Sequence, residues 1–188
     1  MFRSRYLGAF VAALTFLSVF QLQPANSAVV RRAELPELVA LSHIVVHGIV
    51  SQTFTTHQKA FFTGIELEVL TPIKGVAPEA DALSIQLPGG QSGQLRQSIS
   101  GMPHLKPGDE VLLFLERTNS GHHVFTGLSQ GVYFILRGGT RTLAIRDLGP
   151  LLLVGPGEDH IHGEAVADKV LDLDNLIKRI QQLVELSP

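Results

Sequence analysis

The strongest constraint on the fold comes from short segments in which apolar side chains alternate with polar ones. Residues 65–69 read Ile-Glu-Leu-Glu-Val, and residues 83–87 read Leu-Ser-Ile-Gln-Leu. Side chains two positions apart lie on the same face of an extended chain, so this spacing predicts half-buried strands. A Lys-Gly pair ends the first strand and a Pro-Gly-Gly triplet ends the second. Both terminators are residues that favour turns.

Other segments also predict strands, and those at residues 43–51 and 111–116 are nearly continuous apolar runs, as expected for strands buried on both faces. The predicted strands cover residues 43–51, 61–73, 83–87, 111–116, 123–126, 132–137 and 141–146. Gly48 lies inside the first of them, which predicts a bulge or a close approach of another backbone. The polar, glycine-rich residues 91–101 interrupt the series, and Lys-Pro-Gly-Asp at residues 106–109 predicts a turn. Strands at short spacing with no helix between them predict an all-β sandwich or barrel.

Helices are predicted only outside this series. Residues 34–42 favour a short helix with Pro36 in its first turn, where a missing N–H is tolerated. Near the C-terminus, Asp172 is expected to cap a second helix and residues 155–167 are expected to form a flexible loop before it. The apolar residues that recur there at helical spacing are Leu173, Leu176, Ile177, Ile180, Leu183 and Val184. We expect this stripe to dock on the barrel.

The first 28 residues have the three-part organisation of an export signal. Arg3 and Arg5 precede an apolar run over residues 7–20, and the small residues of 25–28 follow it. The run is shorter than the ~20 residues that a membrane-spanning helix needs. We therefore expect a secreted or periplasmic protein whose exported form starts at Ala28 or Val29. The alternative is an uncleaved N-terminal anchor.

Composition narrows the function classes. The chain has no cysteine, which removes thiolate catalysis, cysteine-based metal sites and disulfides. A formal net charge of −2 gives no basic surface for nucleic acid.

The expected organisation is a signal peptide over residues 1–28, an OB-like β-barrel domain over 29–154, and a loop with an amphipathic helix over 155–188.

One catalytic motif occurs, at residues 127–131. The sequence Gly-Leu-Ser-Gln-Gly matches the G-x-S-x-G nucleophile elbow, and aspartates and histidines follow it in hydrolase order. The elbow requires a helix after the serine, whereas residues 132–136 favour a strand. We interpret Ser129 as a structural residue of a hairpin connection and expect no enzyme. A serine hydrolase is the second alternative to the function proposed below.

A weak candidate metal site lies after residue 159. His160 and His162 are two positions apart on an extended segment, so their imidazoles point the same way, and Glu164 is a third potential ligand. The other interpretation is a polar loop with two exposed histidines. The other histidines are scattered, and structural roles are expected for them. No cofactor is expected.

Three motifs together resemble a known family. They are Leu-Ser-His-Ile-Val-Val-His-Gly-Ile-Val at residues 41–50, Glu-Leu-Glu-Val-Leu-Thr-Pro-Ile-Lys-Gly at 66–75, and Pro-Gly-Asp-Glu-Val-Leu-Leu-Phe-Leu at 107–115. Their order is similar to that in the N-terminal domain of tissue inhibitors of metalloproteinases and their bacterial relatives. Residues 87–90 and 108–115 also resemble motifs of a group of uncharacterised exported bacterial proteins. The resemblance covers about half of the chain and implies an OB-like five-stranded barrel.

The functional implication of this resemblance is narrower than the structural one. The animal inhibitors chelate the protease zinc through an N-terminal cysteine, which this chain lacks. We expect an exported, non-catalytic protein-binding or accessory module, with a metalloprotease as the first candidate partner. The alternative is a periplasmic ligand- or metal-binding protein. Residues 88–101 and the mature N-terminus are the expected contact surfaces, because loops at a barrel mouth carry function. Neither nucleic acid nor, after signal cleavage, a membrane is an expected partner.

Overall fold

The computed structural model describes residues 28–57, 60–77, 80–119, 121–148, 151–154 and 170–186. The strands within these ranges are β1 (Ala28–Arg31), β2 (Ile44–His57), β3 (Phe61–Lys74), β4 (Ala82–Pro88), β5 (Gly90–Ser92), β6 (Leu95–Gln97), β7 (Glu110–Arg117), β8 (His123–Phe125), β9 (Val132–Gly138), β10 (Arg141–Ile145), β11 (Leu151–Val154) and β12 (Leu171–Asp172). The helices are α1 (Leu35–Leu41), a 3-10 turn (Leu128–Gly131) and α2 (Leu173–Glu185).

Eight of these strands form one antiparallel sheet. Its order is β12-β10-β9-β7-β2-β3-β4, and β8 pairs with β7 beyond the end of β9. β2 and β3 form a hairpin of 14-residue strands. Because β7 pairs with β2 only over residues 44–49, the outer half of this hairpin extends beyond β7. Two small sheets lie apart from the main one, the β5–β6 hairpin and the parallel pair β1–β11.

The prediction of an all-β fold is confirmed at the level of class. The sheet ends at β12 and β4, and β4 and β8 come within 8 Å of each other between Cα atoms. In the described parts of the chain, no ladder joins β4 to β8 or to β12. Closure into an OB-like barrel therefore stays a prediction.

Both faces of the central strands are buried, which explains why β7 is a continuous apolar run rather than an alternating one. Val46 and Leu113 belong to one cluster of buried side chains, and we call that side of the sheet the inner face. Val45 and Leu112, their chain neighbours, belong to the cluster on the opposite side, the helix face. Side chains alternate between the two faces along each strand. The sheet therefore carries a buried apolar cluster on each of its two faces.

The two α-helices cover the helix face. Leu38 of α1 and Leu176 and Ile180 of α2 are buried in its apolar cluster. The side chain of Asp172 accepts a hydrogen bond from the backbone N–H of Asn175 over 3.1 Å and so caps α2. The docked, Asp172-capped C-terminal helix is thus present as the sequence predicts. Burying its apolar side chains contributes about 1.5–3 kcal/mol each before ordering costs.

β2 runs six residues beyond its predicted end at residue 51. Its register with β3 shifts at three places, between Val45 and Val46, between His47 and Gly48, and between Val50 and Gln52. The predicted bulge and close approach at Gly48 are confirmed, because a Cβ there would lie 2.3 Å from the carbonyl oxygen of Glu68. The last of these shifts leaves Ser51 without a partner in β3, at the end of the buried apolar run from which the strand was predicted.

Other predicted elements differ in detail. The glycine-rich residues 91–101 contain most of the β5–β6 hairpin, which the sequence did not predict. The prediction that residues 127–131 form a hairpin connection is wrong, because β8 and β9 both pair with β7 rather than with each other. This connection contains a 3-10 turn. The predicted export signal and the loop at residues 155–167 lie outside the described residues, apart from Ala28 in β1. Within the described ranges, no helix is long and apolar enough to cross a bilayer.

Candidate functional site

An open groove of about 360 Å³ lies where the inner-face cluster ends. The buried side chains of Ile65, Leu87 and Leu105 belong both to that cluster and to the lining of the groove. We call these three residues the groove floor. Threonines 53, 55 and 63 line the groove beyond them, on the outer half of the β2–β3 hairpin. The apolar core therefore continues into a polar, solvent-facing recess.

Two consecutive glycines place the chain at the rim of the groove. Gly89 and Gly90 have φ values of 98° and 148°, a region that side-chain-bearing residues rarely adopt. A Cβ on Gly90 would lie 2.7 Å from the Cγ2 atom of Thr55. The hydroxyl of Thr63 donates to the carbonyl oxygen of Gly89 over 3.0 Å. These contacts hold the end of β4 against the β2–β3 hairpin.

The β5–β6 hairpin supplies a further wall. The side-chain oxygen of Gln97 accepts from the backbone N–H of Phe61 over 3.3 Å, which links β6 to the start of β3. Gln91 and Arg96 are partners across the hairpin, and both line the groove. Leu95, at the end of the hairpin, is 65% exposed. The hairpin is thus a projecting element attached at its base.

The groove lining contains one positively charged side chain and no negatively charged one. Arg96 is the only lysine or arginine among the lining residues, and no aspartate or glutamate lines the groove with it. The other polar lining residues are Thr53, Thr55, Thr63, Gln91, Gln97, Ser98 and His104. The groove therefore offers an apolar floor, hydroxyl and amide groups, and a single cation.

A second polar arrangement lies on the helix face, in a row across four strands. Nε2 of the buried His47 donates to Oε1 of Glu110 over 2.8 Å, because an ionised carboxylate can only accept. Glu110 also accepts two hydrogen bonds from the guanidinium of Arg137, at 2.6 and 2.7 Å. On the other side of the ring, Nδ1 of His47 lies 3.4 Å from Oγ1 of Thr71.

The charge state of Glu110 follows from these contacts. Burial favours the neutral carboxyl, but the hydrogen bonds from Arg137 and then His47 outweigh it and hold the pKa of Glu110 below its ordinary value. Thr71, His47 and Glu110 have the order of a nucleophile, base and acid. However, the Thr71 contact is long, and Arg137 engages both carboxylate oxygens. We interpret the row as a structural network of hydrogen bonds that links β2, β7 and β9.

Ser129 of the G-x-S-x-G motif is buried in the 3-10 turn. Its hydroxyl donates to the carbonyl oxygen of Leu148 over 3.1 Å, and its backbone N–H donates to Gly101. A serine nucleophile needs a general base within hydrogen-bond reach and access to substrate. The geometry of Ser129 instead fits a structural hydrogen bond.

The proposed metal ligands His160, His162 and Glu164 lie outside the described residues. Among the side chains that the structure does describe, no group of three His, Asp or Glu residues is placed to hold a metal ion. Burial, followed by the electrostatic effect of Arg117 and then of His43 and His122, holds the pKa of His123 below its ordinary value.

The sequence prediction identified only part of the groove. It named residues 88–101 as a contact surface, and residues 88–91 and 96–99 line the groove. It missed Thr53 and Thr55, because the strand was predicted to end before them, and it missed residues 102–105. The alternation of threonines around Phe54 was the available signal for a longer strand.

No family model, curated protein or solved structure matches this chain. The resemblance to tissue inhibitors of metalloproteinases therefore stays a prediction.

Proposed function

We propose that this chain is a non-catalytic protein-binding module that holds a short extended segment of its partner in the groove. One observation carries the proposal: the inner-face core opens into a recess of about 360 Å³ with an apolar floor and polar walls. Binding sites typically combine a concave apolar surface with a few polar groups that set orientation. The floor would take an apolar side chain, and the threonines and glutamines would hydrogen-bond a peptide backbone.

The strand edges beside the groove support an extended occupant. β7 pairs with β2 only over residues 44–49, and in the described chain no strand pairs with residues 52–57 on that side. Exposed sheet edges bind extended peptides through main-chain hydrogen bonds, while pockets select alternate side chains. The groove lining includes residues 53–55 from this part of β2.

The sequence supports a proposal for where the protein acts and which class of partner it binds. The N-terminal signal-like segment favours a secreted or periplasmic location, so the proposed partner is another exported protein. The resemblance to metalloproteinase inhibitors makes a metalloprotease the first candidate, and it also favours an OB-like arrangement of the strands. The approach of β4 to β8 within 8 Å is consistent with that arrangement.

Affinity capture from exported proteins tests the proposal, with two variants of the full chain as comparison. Ser98→Phe places a bulky ring on an exposed residue of the groove lining, and Ser92→Phe makes the same change on the β5–β6 hairpin outside it. We expect wild type and Ser92→Phe to retain the same protein, and Ser98→Phe to lose it. Equal capture by both variants would place the binding surface elsewhere.

A second candidate function is the binding of a small ligand, which the volume of the groove favours. Recesses of ~300–1,000 Å³ commonly hold small molecules. Native mass spectrometry of the purified chain separates the two candidates. A small molecule that co-purifies with wild type but not with Ser98→Phe, together with no captured protein, would favour the ligand-binding alternative.

A further inference from the structure

We infer that the segment held in the groove carries an acidic side chain next to an apolar one, and that Arg96 pairs with the acid. This inference rests on the proposed function and specifies the chemistry of its partner. Charge complementarity supports this inference, because Arg96 is the only residue of the groove lining with a formal charge.

Arg96 has no competing partner among the described residues. None of the ion pairs or hydrogen bonds found there involves its guanidinium, and its side chain is exposed on β6. The contrast with Arg137 is direct, since Arg137 is engaged by both oxygens of Glu110. A guanidinium donates two parallel hydrogen bonds to a carboxylate, and such charge-assisted pairs are stronger than neutral ones. Arg96 is therefore free to make this contact with an incoming segment.

The backbone that carries Arg96 is held in place at the rim. Gly89 donates from its N–H to the carbonyl oxygen of Phe61 over 2.8 Å, and Gln97 accepts from the N–H of the same residue. A Cβ on Gly89 would lie 2.9 Å from the carbonyl oxygen of Gln97, so the start and end of the hairpin pack closely. Arg96 thus occupies a defined strand position next to an anchored residue.

The spacing of the acid follows from the geometry of an extended chain. Neighbouring side chains in a strand point to opposite faces. When one side chain enters the floor formed by Ile65, Leu87 and Leu105, its neighbour points away from the floor and toward solvent, where the exposed side chain of Arg96 also lies. The best occupant is therefore an apolar residue followed or preceded directly by Asp or Glu.

A pair of peptide libraries tests this chemistry. The probes are blocked hexapeptides with a central Asp or a central Asn, and with the other positions drawn from Ala, Val, Leu and Thr. Retention on the immobilised full chain is measured by mass spectrometry. We expect the Asp library to be retained about tenfold more than the Asn library, as a charge-assisted hydrogen bond replaces a neutral one.

Matched charge variants assign the preference to one side chain. Arg96→Glu should reverse it, and Arg96→Lys should retain part of it because the charge remains without the planar fork. Arg141→Glu makes the same change in net charge on an exposed residue of β10, outside the groove lining, and should behave as wild type. Equal melting temperatures of the variants exclude unfolding as the cause.

The remaining outcomes separate this inference from the proposed function. Equal retention of both libraries, lost in Ser98→Phe, would overturn the acidic preference and leave the peptide-binding groove intact. Failure to retain either library above the level of Ser98→Phe would overturn both. Displacement of the Asp library by millimolar succinate as effectively as by its own peptides would show that a free carboxylate suffices, and would overturn the assignment to a peptide.

Discussion

Gly48 carries no side chain because the neighbouring strand occupies the space where one would lie. A Cβ at this position would be 2.3 Å from the carbonyl oxygen of Glu68 and 2.9 Å from Cγ of Leu67. The nearer obstacle is backbone, so it cannot move aside as a flexible side chain can. The close contact coincides with a register shift between β2 and β3. Glycine is thus required here by packing between strands.

We expect Gly48→Ala to lower the free energy of unfolding by about 1–3 kcal/mol, the usual cost of overpacking. Urea unfolding followed by circular dichroism measures the change. Gly138→Ala is the control, because nothing lies within 4 Å of a Cβ there. Equal stability of the two variants would show that β2 and β3 can separate locally at no cost.

A second single residue, Glu110, makes a contribution to folding stability that depends on pH. Burial opposes ionisation of its carboxyl, yet the hydrogen bonds of Arg137 and His47 lower its pKa in the folded chain. The folded state therefore binds a proton at Glu110 less readily than the unfolded state does. The ionised carboxylate stabilises the fold at pH values above its ordinary pKa, and this contribution is lost as the pH falls through the lowered pKa of the folded state.

The variant Glu110→Gln isolates this effect. We expect it to be less stable than wild type at pH 7, and the difference between the two proteins to shrink as the pH falls below 4.5, the ordinary pKa of the carboxyl. Urea midpoints between pH 3 and pH 7 provide the measurement. A difference that stays constant over this range would mean that the ionised form of Glu110 is not favoured by folding.

At the scale of elements, α2 shows how a terminal helix becomes part of the fold. Asp172 caps it, and Leu173, Leu176 and Ile180 enter the cluster on the helix face. α1 reaches the same cluster through Leu38, and α1 and α2 contact each other. Neither helix is long enough to be stable alone in water, so both depend on this packing.

We expect Ile180→Ala to destabilise the protein by about 2–5 kcal/mol, because it opens a cavity at a fully buried site. Gln181→Ala on the exposed side of the same helix should change stability by less than about 0.5 kcal/mol. Both are measured by thermal and urea unfolding. A small effect of Ile180→Ala would indicate that α2 contributes little to the stability of the sheet.

At the scale of the whole molecule, burial and pairing fall from the centre of the sheet toward the groove. Residues 111–115 of β7 are buried, and the strand pairs with β2 on one side and with β8 and β9 on the other. The β5–β6 hairpin pairs only within itself among the described strands, and residues 91–99 are exposed. The groove is thus built partly from the least buried strands.

Hydrogen exchange should reproduce this gradient. We expect the slowest amide exchange in β7 and the adjoining half of β2, and fast exchange in β5 and β6, since few buried contacts oppose local opening there. Mass spectrometry after proteolysis resolves the two regions. A bound peptide should slow exchange in β5 and β6 selectively. Slow exchange of β5 and β6 in the free protein would show that the hairpin is more firmly packed than its exposure indicates.

Elements whose signals lie close together along the chain were predictable from the amino-acid sequence. Alternation along β3 and β4, the glycine and proline turns, and the Asp172 cap depend on residues close together in the chain. The steric requirement at Gly48 was also visible as a glycine inside an apolar strand. These signals sufficed for the all-β class and the C-terminal helix.

The groove and the polar row were not predictable from the sequence, because both form only when residues that are distant along the chain come together in the folded protein. The groove lining comes from residues 53–65 and 87–105, and the row joins His47, Glu110 and Arg137, which lie far apart in sequence. The bulge at Ser51 separates the alternating residues 53–55 from the buried apolar half of β2. The β5–β6 hairpin has no apolar face to give it a periodic signal. It is positioned instead by the hydrogen bond from Phe61 of β3 to Gln97 and by the close approach of Gly90 to Thr55 of β2. Contacts between distant residues, unlike periodicity, arise only once the strands have paired.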